Sequence, residues 1–341
     1  VVLSFFRINH IVKRPDETFM NTTLEKRQQT QKATRTLKDY FGLTARGFAM
    51  GAADVVPGVS GGTMAFILGI YEELINSIRA MVNPTAIRLI LRLKIKAALD
   101  ILPWEFLLAL GLGILLAIFS LARFLEWMLI NQPVLLWSFF FGLVLASIFT
   151  VSKRVSHWGP MTFGATIVGA ITAYIIVGLV PVETPNAAWF LFLSGAIAIC
   201  AMILPGISGS FILVLLGKYQ YVLAAVNNRD FLTLFLVAAG AGVGIIVFAQ
   251  ILGWLFKRYH DLTVALLIGL MLGSLRKIWP WKETVAFILD RHGEPTPTEQ
   301  INVLPLAWTG EVTFALILAI VGFAIVVLLD YWAARQQPAE G

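Results

Sequence analysis

Apolar residues run in long blocks along this chain, separated by short polar, charged or glycine- and proline-containing stretches. Six blocks, 104–122, 134–151, 161–180, 232–256, 262–279 and 312–332, approach or exceed the ~20 apolar residues that a helix needs to cross a hydrocarbon core. They predict six spanning helices. Two further blocks, 41–78 and 187–226, are interrupted by a proline–glycine pair, Pro57-Gly58 and Pro205-Gly206. Adjacent proline and glycine are strong helix breakers, so each of these blocks predicts two half-length arms joined at a corner.

The two interrupted blocks match. At an offset of 148, residues 57–71 pair with 205–219, and seven of fifteen positions are identical, among them Pro57/Pro205, Gly58/Gly206, Ser60/Ser208, Gly61/Gly209 and Tyr71/Tyr219. Shared hydrophobicity alone would not set proline, glycine and serine in one register. The echo continues at an offset of 127, where FFFGLVLAS (139–147) pairs with LLIGLMLGS (266–274) and Trp127 with Trp254. The pattern predicts two copies of one unit, a broken segment followed by three spanning helices.

A broken segment either crosses as one kinked helix or turns back as a re-entrant hairpin. The arms 47–56 and 60–70 are each about 15 Å long at 1.5 Å per residue, roughly half the hydrocarbon core. With residue 1 inside and two hairpins, 19 Lys and Arg fall inside and 7 outside; two full crossings would split them 13 to 13. The positive-inside rule favours the hairpins. Each unit then crosses three times, and the second copy is inverted. The expected fold is all-α and polytopic, with two inverted-topology repeats. Residues 1–40 form a basic cytoplasmic tail, 41–181 the first repeat, 182–334 the second and 335–341 a C-terminal tail. Within the first repeat, 83–102 predicts an amphipathic helix in the membrane interface, because Arg88, Arg92 and Lys96 recur every four residues on one face while Ile87, Ile90, Leu91 and Ile95 populate another.

Composition agrees. The chain is 58% hydrophobic and 13% charged, against roughly 25% charged in soluble domains. Nine of its 26 Lys and Arg lie in residues 1–46, which points to a cytoplasmic N-terminus rather than to nucleic acid. The lone Cys200 cannot form an internal disulfide, and the four scattered histidines show no metal spacing, so neither metal nor cofactor is expected.

A helix stopped inside a membrane exposes backbone groups that need partners. After Pro57-Gly58, a new half-helix starts near Ser60 with Gly61, Gly62 and Thr63, offering N–H groups, hydroxyls and close approach. Such a start suits an anion, phosphate above all. Pro205, Gly206, Ser208, Gly209 and Ser210 build the second copy. The plainer alternative is that the serines only cap helices and the glycines only permit packing. Charged residues within or beside apolar runs are the next candidates. Arg46 could pair with a phosphate. Asp54 and Glu73 could couple transport to a proton or a sodium ion. Arg276 and Lys277 could form a basic mouth for an anionic headgroup.

On the stretches GAADVVPGVSGGTMAFILGIYEELI and MILPGISGSFILVLLGKY, the chain resembles a bacterial membrane family long catalogued as a domain of unknown function and since assigned as polyprenyl-phosphate transporters. The resemblance covers about residues 40–332. It implies a flippase that returns undecaprenyl phosphate from the outer to the cytoplasmic leaflet for cell-envelope synthesis, in the bacterial plasma membrane, the inner one where there are two. It carries over to the motif positions Asp54, Pro57, Gly58, Ser60, Gly61, Thr63, Pro205, Gly206, Ser208 and Gly209. A small-anion channel or transporter is the rival reading, since it would use the same helix starts. A membrane phosphatase would need a nucleophile with a positioned base, and no histidine neighbours either motif in sequence.

Overall fold

The computed structural model describes residues 35–55, 59–289 and 295–336. Pro57, Gly58 and the expected tail up to residue 34 lie outside the described residues.

The chain begins with α1 (Leu37–Val55), which ends just before the first corner, and resumes with the short α2 (Gly61–Ile67) and α3 (Tyr71–Met81). Gly69, with φ +73°, makes the turn between α2 and α3. The stretch expected as one interfacial helix is two, α4 (Pro84–Leu91) and α5 (Ile95–Ile101). The break falls at Leu93, which adopts φ +56°, while the Lys94 N–H reaches back to the Leu89 carbonyl at 2.9 Å. Arg88 and Lys96 therefore sit on different helices, and the continuous basic face is lost.

Three long helices follow: α6 (Trp104–Asn131), α7 (Pro133–Ser152) and α8 (Pro160–Ile176). The chain then enters its second half. It runs through α9 (Ala188–Ile203), the short α10 (Gly209–Leu215), α11 (Tyr219–Asn227), α12 (Phe231–Arg258), α13 (His260–Ser274) and α14 (Gly310–Gln336). All six expected spans are helical. Among the described residues, four helices, α6, α7, α12 and α14, are long and apolar enough to cross a membrane. Helices α8 and α13 have 17 and 15 residues, shorter than the expected blocks. The pair α10 and α11 is bent by 108°, which makes it a broken span or a re-entrant loop. This is a multi-pass membrane protein.

The expectation of an all-α fold is overturned between α13 and α14. Lys282–Leu289 and Pro295–Asn302 pair as an antiparallel hairpin, β1–β2. Thr284, Val285, Phe287 and Ile288 favour a strand. The sheet has two strands, so both are edges, where Pro295 and Pro297 are tolerated.

Glycines set the spacing of the long helices. A Cβ at Gly47 would strike the Leu110 carbonyl, and one at Gly113 the Thr44 carbonyl, so α1 and α6 touch backbone to backbone. Gly47 meets Leu110 and Gly51 meets Ile114, so the two helices run the same way. Gly195, Gly240 and Gly244 bring α9 against α12, again in parallel. Gly169, Gly269 and Gly273 do so for α8 and α13, and Gly142 and Gly322 for α7 and α14. The latter pair continues through Phe149–Phe323, 6.1 Å between ring centroids, to Lys153–Asp330 at 3.1 Å. Lipid supplies little hydrophobic drive for helix association, so close backbone approach and dispersion carry it.

Candidate functional site

The two corners meet each other. Ser60 caps α2 from an extended backbone, and its Oγ accepts from the Gly62 N–H at 3.1 Å. The same hydroxyl donates to the Met202 carbonyl at 2.9 Å, at the end of α9. Tyr71 donates to the next carbonyl, that of Ile203, at 3.1 Å. In return the Gly206 N–H donates to Thr63 Oγ1 at 2.9 Å. The positive start of α2 thus faces the negative end of α9, and the helix ends left open by the breaks satisfy one another.

Asp54, half-buried at the end of α1, accepts from the Gly61 N–H at 2.6 Å, a charge-assisted bond. Any Cβ at Gly61 would collide with this carboxylate. The Thr63 N–H is taken by the Ser60 carbonyl at 2.9 Å. Three N–H groups at the start of α2 are therefore occupied from within the chain, and Asp54 stands where an external anion would sit. Ser60 and Thr63 are 0% and 1% exposed, so this corner is closed.

At the second corner, Gly206 adopts φ +91°, and its missing side chain leaves room for Ser274 at the end of α13. Ser208 caps α10 by accepting from the Phe211 N–H at 3.1 Å, and its hydroxyl pairs with that of Ser210 at 2.9 Å. Pro205, Gly209 and Ser208 are buried, whereas Ser210 is exposed. Gly209 packs against the Ala198 carbonyl.

Among the remaining candidates, Lys277 comes to this second corner, with its amine 4.7 Å from the centroid of the Phe211 ring. Arg276 turns the other way, stacking on Tyr174 at 4.3 Å and donating to that residue's carbonyl at 3.0 Å. Arg154 lies over Phe66 near the far end of α2 at 5.9 Å, beside the turn at Gly69 rather than at the first corner. Arg46 is exposed and not joined to Asp54. Glu73 is half-buried on the first turn of α3, and its neighbour Glu72 approaches His260 at 3.3 Å.

Three residues escaped the sequence reading. Tyr71 is 1% exposed and braces the end of α9; its identity with Tyr219 was the available signal. Lys218 is 1% exposed, and its amine donates to the Thr184 carbonyl at 2.7 Å and to Asn186 Oδ1 at 2.6 Å, tying the loop before α9 to the end of α10. Lys282 belongs to the unforeseen hairpin and lies 4.4 Å from the Trp137 ring centroid.

Residues 50–296, which span both corners, match the family model described as VCA0040-like, undecaprenyl phosphate translocase-like. The chain belongs to this family. A Vibrio cholerae protein named polyprenyl-phosphate transporter is 41% identical over 303 residues, covering 87% of this chain and 98% of its own length. A Staphylococcus aureus protein of the same name is 32% identical over 257 residues, 69% of this chain and 84% of its own. No solved structure matches. Family and relatives alike are named for transport, which sets the chain among transporters rather than enzymes.

Proposed function

We propose that this protein is a flippase for polyprenyl phosphate, undecaprenyl phosphate in particular, carrying it from the outer to the cytoplasmic leaflet of the bacterial plasma membrane. The names of its family and relatives support the substrate class. The observation that carries the mechanism is the reciprocal contact of the corners, Ser60 on the Met202 carbonyl and Gly206 on Thr63. An anionic head cannot cross hydrocarbon unaided, while its isoprenoid tail never has to leave it. A path for the head needs polar groups only along the protein's interior.

Two inverted repeats, each a re-entrant hairpin plus three spanning helices, account for the helix directions. If the chain turns back at a corner, the arm before it and the first helix after it run the same way, as α1 with α6 and α9 with α12 do. The glycines of these contacts are equivalent under the repeat: Gly47 with Gly195 at the offset of 148, Gly113 with Gly240 at 127. An odd number of crossings per repeat also makes α7 parallel to α14 and α8 parallel to α13. Rocking of one repeat against the other would open the corners alternately. The charge distribution favours a cytoplasmic N-terminus.

In this reading the closed first corner is a resting arrangement. A lipid phosphate takes over the N–H groups of Gly61 and Gly62 when Asp54 moves away, with the hydroxyls of Ser60 and Thr63 beside it and Arg46 as a countercharge. The corner of Pro57 and Gly58, and its counterpart at Pro205, Gly206, Ser208, Gly209 and Ser210, let the backbone approach. Asp54, with Glu73 as a second carboxylate, couples the step to a proton or a sodium ion. Arg276 and Lys277 form the outer mouth. The test is flux of a fluorescent polyprenyl phosphate in proteoliposomes under imposed proton and sodium gradients. Accumulation driven by the protein is expected. Chloride or phosphate flux without lipid movement would instead favour a small-anion transporter.

A further inference from the structure

The segment after α13 runs past the ends of α8 and α13 into the β1–β2 hairpin, leaving a cavity of about 640 Å³ between them. Arg276, Lys277 and Lys282 line it, joined from β2 by the amide residues Gln300 and Asn302, and none of its lining residues is acidic. The Lys282 amine donates to the Lys277 carbonyl at 2.5 Å, and Asn302 donates to the Arg276 carbonyl at 2.8 Å, so the hairpin is fastened to the basic segment. We infer that this cavity docks a dianionic phosphate monoester, the headgroup of an isoprenoid lipid, between Lys277 and Lys282 with Arg276 at the rim. The inference rests on the lipid-phosphate reading above and adds the place where the head is first held.

Charge, shape and position each point that way. Three cationic groups with no carboxylate among the lining residues call for an anion of more than one charge. Burial pushes the Lys282 amine down to about 7, helped by the charge of Lys277, and lowers Lys277 beside Arg276. A bound dianion would relieve that repulsion. The cavity is far larger than a monatomic ion needs, and its remaining wall is apolar. Leu179, Val180 and Leu272 on that wall are 52%, 54% and 38% exposed, the first two in the chain just after α8 and the third on α13. An isoprenoid tail can leave sideways there while its head stays with the amines. Lys277 also reaches the Phe211 ring beside Ser208, so the cavity adjoins the second corner.

The experiment is calorimetric titration of the purified full chain in detergent with farnesyl phosphate and, separately, inorganic phosphate. Farnesyl phosphate is expected to bind at least tenfold more tightly than inorganic phosphate. The Lys277→Gln/Lys282→Gln variant should weaken it at least tenfold. Gln300 is exposed, so Gln300→Glu adds a negative charge without disturbing packing and should weaken binding several-fold at an unchanged unfolding temperature. Wild-type affinity in both variants would overturn the docking site. Equal affinity for the two ligands would assign the cavity to free phosphate and overturn the headgroup. Lipid flux, measured in parallel, separates the two readings. Wild-type flux with unaltered binding in the variants sinks only the docking site. No flux, with binding lost in the variants, sinks only the transport reading.

Discussion

The Gly206 N–H donates to the Thr63 hydroxyl at 2.9 Å across 143 residues of sequence. One turn of chain away, Ser60 makes the opposite contact onto the end of α9. Each broken helix thus supplies what the other lacks, a donor for stranded carbonyls and an acceptor for a stranded amide. A break that would leave polar backbone unsatisfied in a membrane becomes tolerable because a second break lies against it.

Replacing Thr63 by valine keeps the shape and removes the acceptor. The buried Gly206 N–H then has no hydroxyl to meet, a loss of about 1–3 kcal/mol. Thr63→Val should lower the denaturation midpoint in detergent and slow lipid flux, whereas Thr63→Ser should restore both. Identical midpoints for the valine variant and the wild type would mean that this contact does not brace the corners.

Asp54 holds the Gly61 amide that a phosphate would otherwise use. Asp54→Asn retains an oxygen for that amide but cannot change charge with an ion gradient. The variant should fold, and its lipid flux should lose its response to imposed proton and sodium gradients. A response equal to wild type would remove Asp54 from coupling. Asp54→Ala leaves the amide without its acceptor and should also lower stability.

Much of this was legible in the chain. The apolar blocks located every long helix, and the paired Pro-Gly motifs marked both corners, because interruption of a long apolar run by helix breakers is a local signal. That the corners touch was not legible. The bond from Ser60 to Met202 depends on how distant segments pack, and one sequence carries no record of such pairing. The open anion cradle expected at Ser60–Thr63 appears as a closed corner, since nothing in the spacing revealed that the Asp54 carboxylate would reach Gly61. The hairpin was missed because β2, PTPTEQIN, carries two prolines and mostly polar residues and so shows no strand pattern, and with it went Lys282. The single helix expected over 83–102 is divided at Leu93, whose left-handed backbone no helix propensity foretells.

The Lys282 amine, pushed down to about 7, should make headgroup binding pH-dependent. Below that value it is charged and attracts phosphate; above it the charge is lost. Among the residues that line the cavity with it, the ionisable groups are Lys277 and Arg276 in the segment after α13 and Tyr174 on α8; the hairpin offers Gln300 and Asn302, and α7 offers Trp137. Farnesyl phosphate affinity should fall between pH 7 and 8.5, a range in which the ester itself is already largely dianionic. Lys282→Arg stays charged throughout and should flatten the fall. Parallel profiles for the two proteins would assign the dependence to another group.

The glycine contacts yield a prediction with an internal control. Gly113 and Gly240 each press on a facing carbonyl, those of Thr44 and Phe192, whereas Gly111 and Gly242, two residues earlier and later, have nothing within 4 Å of an added Cβ. An alanine at Gly113 or Gly240 must push α1 from α6, or α9 from α12, and overpacking of this kind costs about 1–3 kcal/mol. The same change at Gly111 or Gly242 adds a methyl to open space and improves helix propensity. Gly113→Ala and Gly240→Ala should therefore lower the unfolding temperature and slow lipid flux by comparable amounts, because each shifts the arm that leads to its own corner. Gly111→Ala and Gly242→Ala should leave both readouts at or slightly above wild type. If all four variants behaved alike, close parallel packing of arm and helix would not be what holds the corners together.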